Sequence, residues 1–207
     1  MTTYCKLTDA DGNTYGGTHW DVGVEHTAPG DGELCSADWL HAYADPVLAV
    51  LMNPIGASFD PETMRMFRFE SDEIPKAEEG KLGFRHIRCE EWIDVPKVSI
   101  EQTIRFGILA TKEVCKEPGW NQWADGWLDG SDRTAEAAEA EARAERATWA
   151  AASWAARAAW ATRVEEATCA EEAARASWAA EAAWAARAVT SQLDLVAIAH
   201  KAMETTA

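Results

Sequence analysis

The predicted fold of the C-terminal third of the chain depends on two related segments, SWAARAAWATR at Ser153–Arg163 and SWAAEAAWAAR at Ser177–Arg187. They form an internal repeat with an offset of 24 residues. Between Ala135 and Ala188, 27 of 54 residues are alanine and none is glycine or proline. Because alanine has the strongest helix propensity, this composition predicts a long helical region.

The phase of the repeat favours a helical hairpin over one straight helix. Twenty-four residues correspond to a rotation of about 240°, so a straight helix would point the two copies to different sides. Thr168 and Glu171 form a possible capping box that restarts the helix, and an unbroken helix is the alternative. Eight residues in this region follow one another at intervals of three and four positions, which is the spacing of a coiled-coil seam. The seam consists of Ala137, Ala140, Ala144, Ala147, Ala151, Trp154, Ala158 and Ala161.

Tryptophan has to supply most of the apolar contact in this region, because alanine buries little area. We expect five tryptophans to pack the helices together or to join copies of the chain: Trp149, Trp154, Trp160, Trp178 and Trp184. This predicts a homo-oligomer. A last helix, capped by Ser191, should present an apolar face.

Residues 1–130 are expected to form an acidic α+β domain with an antiparallel sheet and short helices, followed by the helical region 131–207. Asp9–Gly12 is a turn signal between strands at 4–8 and 13–15 and predicts a hairpin. Strands at 64–69 and 83–89 could pair antiparallel.

Three helices are predicted inside this first domain. Asp45 is a suitable N-cap before Pro46, and Pro54 should stop that helix after two turns. Ser99 and Gln102 form a capping box for the second helix. The third contains Trp120, Trp123 and Trp127 at helical spacing.

Charge is concentrated near the N-terminus. The chain has a net charge of -16, and residues 1–62 contribute ten acids and a single base, Lys6. Such a segment would repel a phosphate backbone, which argues against direct nucleic-acid binding. It fits either a solubilising surface or one that engages a basic partner, including as a mimic of nucleic-acid charge.

The remaining composition excludes several classes of site. The five cysteines are scattered without a C-x-x-C pair, which predicts reduced thiols in a cytoplasmic protein, and no apolar run reaches membrane-spanning length. His19, Asp21, Glu25 and His26 could offer metal ligands, but their spacing fits no standard zinc pattern. Cys35 and Cys115 lack a paired histidine in sequence. We therefore predict no metal, no cofactor and no catalytic residue.

The segment that contains His41 and Tyr43, followed by a short helix and a strand, resembles the core of ADP-ribosyltransferase-like domains. The resemblance implies that His41 and Tyr43 contact a ligand and that Glu90 or Glu91 activates an acceptor. A buried structural role for His41 and Tyr43 is the alternative. Trp120 and Trp123 could likewise stack on a ring, although a helical tryptophan stripe is more often core.

A second resemblance covers nearly the whole chain. It is carried by the segments at 6–9, 32–36, 40–46, 53–55 and 105–109, ahead of the Ala/Trp tail. With these the chain resembles uncharacterised phage-encoded proteins. The resemblance implies a phage origin and no catalytic residue. Because small phage accessory proteins often act by binding, we expect a protein in the cytoplasm of an infected bacterium that interferes with an antiviral system by capturing a host protein or a small signal nucleotide. An NAD-using enzyme and an acidic nucleic-acid mimic are the alternatives.

Overall fold

The computed structural model describes residues 1–78, 80–114, 118–131 and 193–204. The predicted Ala/Trp hairpin, with Trp149, Trp154, Trp160, Trp178 and Trp184, lies outside the described residues. The chain divides into two compact units, Met1–Lys97 and Val98–Ala207, which are described separately. The composition change at residue 130 therefore falls inside the second unit.

The described residues have a mixed α+β architecture with antiparallel sheets and four helices, as the sequence predicts. The described part of the first unit contains ten strands and one α-helix. The strands are β1 (Thr2–Thr8), β2 (Asn13–Thr14), β3 (Thr18–His19), β4 (Glu25–Thr27), β5 (Leu40–Ala42), β6 (Arg65–Ser71), β7 (Lys76–Glu78), β8 (Lys81–Phe84), β9 (His86–Arg88) and β10 (Glu91–Ile93).

Strand pairing in the first unit gives two three-stranded sheets and two two-stranded sheets. One sheet has the order β1-β6-β10 and another the order β5-β8-β7. Cys5 on β1 forms a bridge with Tyr43, the residue after β5, while β8, β9 and β10 follow one another along the chain. Buried side chains from these strands and the segments between them form a hydrophobic core cluster. These are Trp20, Ala42, Phe67, Phe69, Phe84, Ile87 and Cys89.

Two predicted pairings are wrong. The turn at Asp9–Gly12 forms, with the amide of Gly12 donating to the Asp9 carbonyl, but β2 pairs with β3 and β1 pairs with β6. Likewise β6 pairs with β1 and β10, and the segment at 83–89 pairs elsewhere. Pairing partners in an antiparallel sheet depend on the core as a whole, which local turn signals do not specify.

Helix α1 spans Pro46–Gly56. Its start confirms the predicted cap, since the Asp45 carboxylate accepts a hydrogen bond from the Leu48 amide and Pro46 occupies the first helical position. The predicted stop at Pro54 is wrong. The helix continues to Gly56, where the carbonyl of Asn53 accepts from the amides of Ala57 and Ser58.

The second unit is helical where it is described, with α2 (Ile100–Val114), α3 (Pro118–Asp129) and α4 (Leu195–Met203). The capping box before α2 is confirmed: the Ser99 amide donates to Gln102 Oε1 at 2.8 Å and the Gln102 amide to Ser99 Oγ at 3.2 Å. Helix α4 is capped by the Asp194 side chain, and the predicted cap Ser191 lies outside the described residues. Within the described ranges, no helix has the length and apolar character needed to cross a membrane.

Candidate functional site

Lys6 is a buried lysine on β1. Its partner in the register is Phe67, and alternation along β1 puts Lys6 on the same side as Tyr4, whose ring contacts Phe69 and Phe84. The lysine is only 7% exposed.

Two neighbours accommodate the Lys6 ammonium. Nζ donates a hydrogen bond to the carbonyl of His41 at 2.5 Å and lies 5.4 Å from the ring centre of Trp20. Burial, with a smaller contribution from the positive charge of Lys81, lowers the pKa of Lys6 from 10.5 to about 7. Lys6, the only lysine or arginine in residues 1–62, is therefore buried in the core.

The surface formed by residues 1–62 is acidic as a result. Seven of their ten carboxylates are exposed. These are Asp11, Asp21, Glu25, Asp31, Glu33, Asp60 and Glu62. Because Lys6 is buried, this segment presents no exposed lysine or arginine to offset them.

Two of the acids are held in the ionised form by donors nearby. The amide of Asn13 donates to Asp9 Oδ1 at 2.7 Å and is the main reason that the pKa of Asp9 is lowered. The pKa of Asp21 is lowered first by the Val22 amide, at 2.8 Å, and then by Trp92 Nε1, at 3.2 Å. Both carboxyl groups therefore stay ionised at pH values below those at which an aspartate is usually protonated.

Several bases of the first unit are engaged within that unit. Arg68 pairs with Glu91 at 2.8 Å, and Arg85 pairs with Glu73 at 3.0 Å. The Arg65 guanidinium lies 3.6 Å from the ring centre of Trp92. Lys76 Nζ donates a hydrogen bond to the Gly32 carbonyl at 2.5 Å, so a base from β7 offsets part of the negative charge next to Asp31 and Glu33.

The predicted ligand residues His41 and Tyr43 lie close together, on β5 and directly after it. His41 Nε2 donates to the carbonyl of Leu34, and burial lowers the pKa of the imidazole. Tyr43 is 7% exposed, and burial is the main reason that its pKa is raised. In this geometry both side chains take part in packing the first unit.

Trp120 and Trp123 lie in the other unit, on α3. Trp120 is fully buried and Trp123 is 7% exposed, and their ring centres are 5.8 Å apart in an edge-to-face arrangement. Among the residues that the structure describes, neither indole nitrogen has a hydrogen-bond partner. The placement matches the alternative role of these residues as helix core.

The histidines at the start of the chain are used in local structure. His26 Nε2 donates to the His19 carbonyl at 2.8 Å, and His86 lies 3.4 Å from a carboxylate oxygen of Glu25. Across the described parts of the chain, no group of three or more His, Cys, Asp or Glu side chains could hold a metal ion.

One pair of reactive side chains, Cys35 and Lys81, was not predicted from the sequence. Lys81 Nζ lies 3.7 Å from Cys35 Sγ, and the thiol is exposed. The two residues are 46 positions apart, and no local pattern connects them. Only the antiparallel pairing of β5 with β8, together with the loop before β5, brings them together.

Comparison of the chain with protein-family models, with curated proteins and with solved structures finds no match.

Proposed function

We propose that this chain is a phage accessory protein that binds a host protein through the acidic surface of its first unit. The observation that carries the proposal is the burial of Lys6, which leaves residues 1–62 with ten carboxylates and no exposed lysine or arginine. A surface with an excess of one charge attracts a partner of the opposite charge and orients it during encounter. The expected partner therefore presents a basic patch.

A protein partner is favoured over a signal nucleotide by the same charges. A nucleotide carries phosphate groups, and the carboxylates would repel them unless bases lined the site. If the basic patch normally binds nucleic acid, the acidic surface acts as a mimic of the phosphate backbone. Competition by duplex DNA for the captured protein would identify that case.

The NAD-using alternative has less support in this geometry. His41 Nε2 is committed to the Leu34 carbonyl, and Tyr43 is almost fully buried. Incubation with NAD and a bacterial lysate tests the alternative directly. Release of nicotinamide that is lost in a Tyr43→Phe variant would favour the enzyme over the binding protein.

The Ala/Trp region would then serve assembly. Copies joined through residues 131–207 would present several acidic surfaces at once, and linked sites bind more tightly than single ones. Light scattering on the full chain should give a mass that is a multiple of 22.7 kDa. A mass of one chain at micromolar concentration would remove the oligomer from the proposal.

Capture from a bacterial lysate tests the proposal when two charge-matched variants are compared. The test variant neutralises Asp11, Asp31 and Glu33, as D11N, D31N and E33Q. The control neutralises three exposed acids of the same unit outside residues 1–62, as E70Q, D72N and D94N. Both variants lose the same charge, so a protein captured by wild type and control but lost from the test variant supports the proposal.

A further inference from the structure

Cys35 and Lys81 form a contact between two nucleophilic side chains that the proposed binding function does not use. Lys81 Nζ lies 3.7 Å from Cys35 Sγ. The cysteine is exposed and the lysine is half-buried, so both groups can meet a small solute.

The contact is held by packed structure on both sides. Lys81 is the first residue of β8, whose register with β5 pairs His41 with Gly83. Cys35 directly follows Leu34, which is fully buried and whose carbonyl accepts the hydrogen bond from His41.

Gly83 shows how closely the loop lies on β8. A Cβ atom at Gly83 would meet the side chains of Leu34 and Trp39. The segment that carries Cys35 is therefore seated directly on the strand that carries Lys81.

The other described cysteines differ from Cys35 in their surroundings. Burial raises the pKa of Cys5 to about 12 and is the main reason that the pKa of Cys89 is raised to about 11. A buried thiol with a raised pKa forms little of the thiolate that reacts with oxidants. Among the described cysteines, the exposed one beside an amine is Cys35.

We propose that oxidation joins Cys35 and Lys81 through a reversible sulfur–nitrogen bond. Hydrogen peroxide is the oxidant: Cys35 gives its proton to solvent, the thiolate attacks one peroxide oxygen, the O–O bond breaks, and sulfenic acid forms while the leaving hydroxide takes up a proton to become water. Lys81 gives its ammonium proton to solvent, and the neutral amine attacks sulfur. The S–O bond breaks, and the oxygen leaves with the sulfenic acid hydrogen and one N–H hydrogen as a second water. The protein loses two hydrogen atoms, its sulfur is oxidised by two electrons, and the peroxide is reduced.

The bond would fasten the loop before β5 to the strand β8. It links positions that are 46 residues apart, so it would restrict the unfolded chain in the manner of a disulfide and raise the thermal unfolding midpoint. A thiol reductant would reverse the change. The inference is independent of the proposed host-protein partner.

Peptide mass mapping of the full chain after treatment with hydrogen peroxide tests this proposal. We expect a linked peptide pair containing Cys35 and Lys81, lighter by two hydrogens than the separate peptides and separated again by reductant. The native protein should give at least about ten-fold more of this product than protein oxidised in urea, because folding holds the two groups together.

Two variants define the bond. C35S should give no linked product, and K81R, which keeps the positive charge, should stop at oxygen adducts of Cys35. The proposal is overturned if wild-type Cys35 ends as sulfinic or sulfonic acid with Lys81 unmodified. It is also overturned if Cys35 is linked to another residue, or if urea-unfolded protein gives as much product as native protein.

Discussion

Replacement of the buried Lys6 by methionine should make the protein more stable near neutral pH. Methionine has a similar length and no charge, so it removes the cost of placing an ammonium group among Trp20 and Phe67. Part of the gain is offset, because the carbonyl of His41 loses its donor and an unsatisfied buried acceptor costs about 1–3 kcal/mol.

The magnitude follows from the shift in the pKa of Lys6. A change from 10.5 to about 7 corresponds to about 5 kcal/mol at ~1.4 kcal/mol per pKa unit. Between these two values the unfolded chain binds a proton that the folded protein does not bind, so wild-type stability from this group rises with pH. The cost is fully present below pH 7 and is relieved as pH approaches 10.5. From pH 7 to pH 9.5 the linkage relation gives a rise of about 3 kcal/mol.

Urea denaturation followed by tryptophan fluorescence at pH 7 and pH 9.5 measures this effect as a difference between Lys6→Met and wild type. Cys5 and Cys89 ionise more readily when unfolded, which lowers stability above pH 9, but both proteins share that contribution and it cancels. We expect the advantage of the variant to shrink by about 3 kcal/mol between the two pH values. Parallel stability curves for the two proteins would show that Lys6 does not have a lowered pKa in the folded protein.

Three further substitutions test the local structure by urea denaturation. Asn53→Ala should destabilise the first unit by about 2–3 kcal/mol, because the buried side-chain amide both donates to and accepts from the backbone of Phe59. A loss of stability under about 0.5 kcal/mol would argue against these hydrogen bonds. Ser99→Ala removes half of the capping box and should cost about 1 kcal/mol, whereas Ser99→Asp should be nearly neutral; equal losses would contradict the cap. Gly12→Ala should cost about 1–3 kcal/mol, since Gly12 has φ +82° and a Cβ would lie 2.7 Å from the Trp20 carbonyl oxygen; wild-type stability would show that the turn can adjust.

The sequence correctly predicted the helix starts whose capping residues lie close in the chain to the groups they bond. The start of α1 depends on Asp45 and Pro46, and the start of α2 depends on Ser99 and Gln102, all within four residues of the bonds they make. The end of α1 depends instead on Asn53, which holds the backbone of a loop beyond the helix. That contact overrides the proline signal and could not be read from the proline alone.

The site was harder to predict because it depends on distant contacts. Lys6 is a polar residue in a strand, and its burial requires Trp20, Phe67 and the carbonyl of His41 to surround it. The Cys35 and Lys81 contact likewise requires the pairing of β5 with β8. The number of charged residues in the sequence identifies the acidic segment, but only the structure shows that its single base, Lys6, is buried.

The proposed function depends most directly on whether the acidic surface of residues 1–62 binds a basic partner. The decisive measurement is the dissociation constant of the captured host protein against salt, for wild type, the D11N/D31N/E33Q variant and the E70Q/D72N/D94N control. Screening shortens the range of charge interactions from about 10 Å at 0.1 M to about 3 Å at 1 M ionic strength. We predict that wild type and control bind alike and weaken steeply with salt, while the test variant binds at least about ten-fold more weakly at 0.1 M. Equal affinities for all three proteins, with no dependence on salt, would contradict the proposed function.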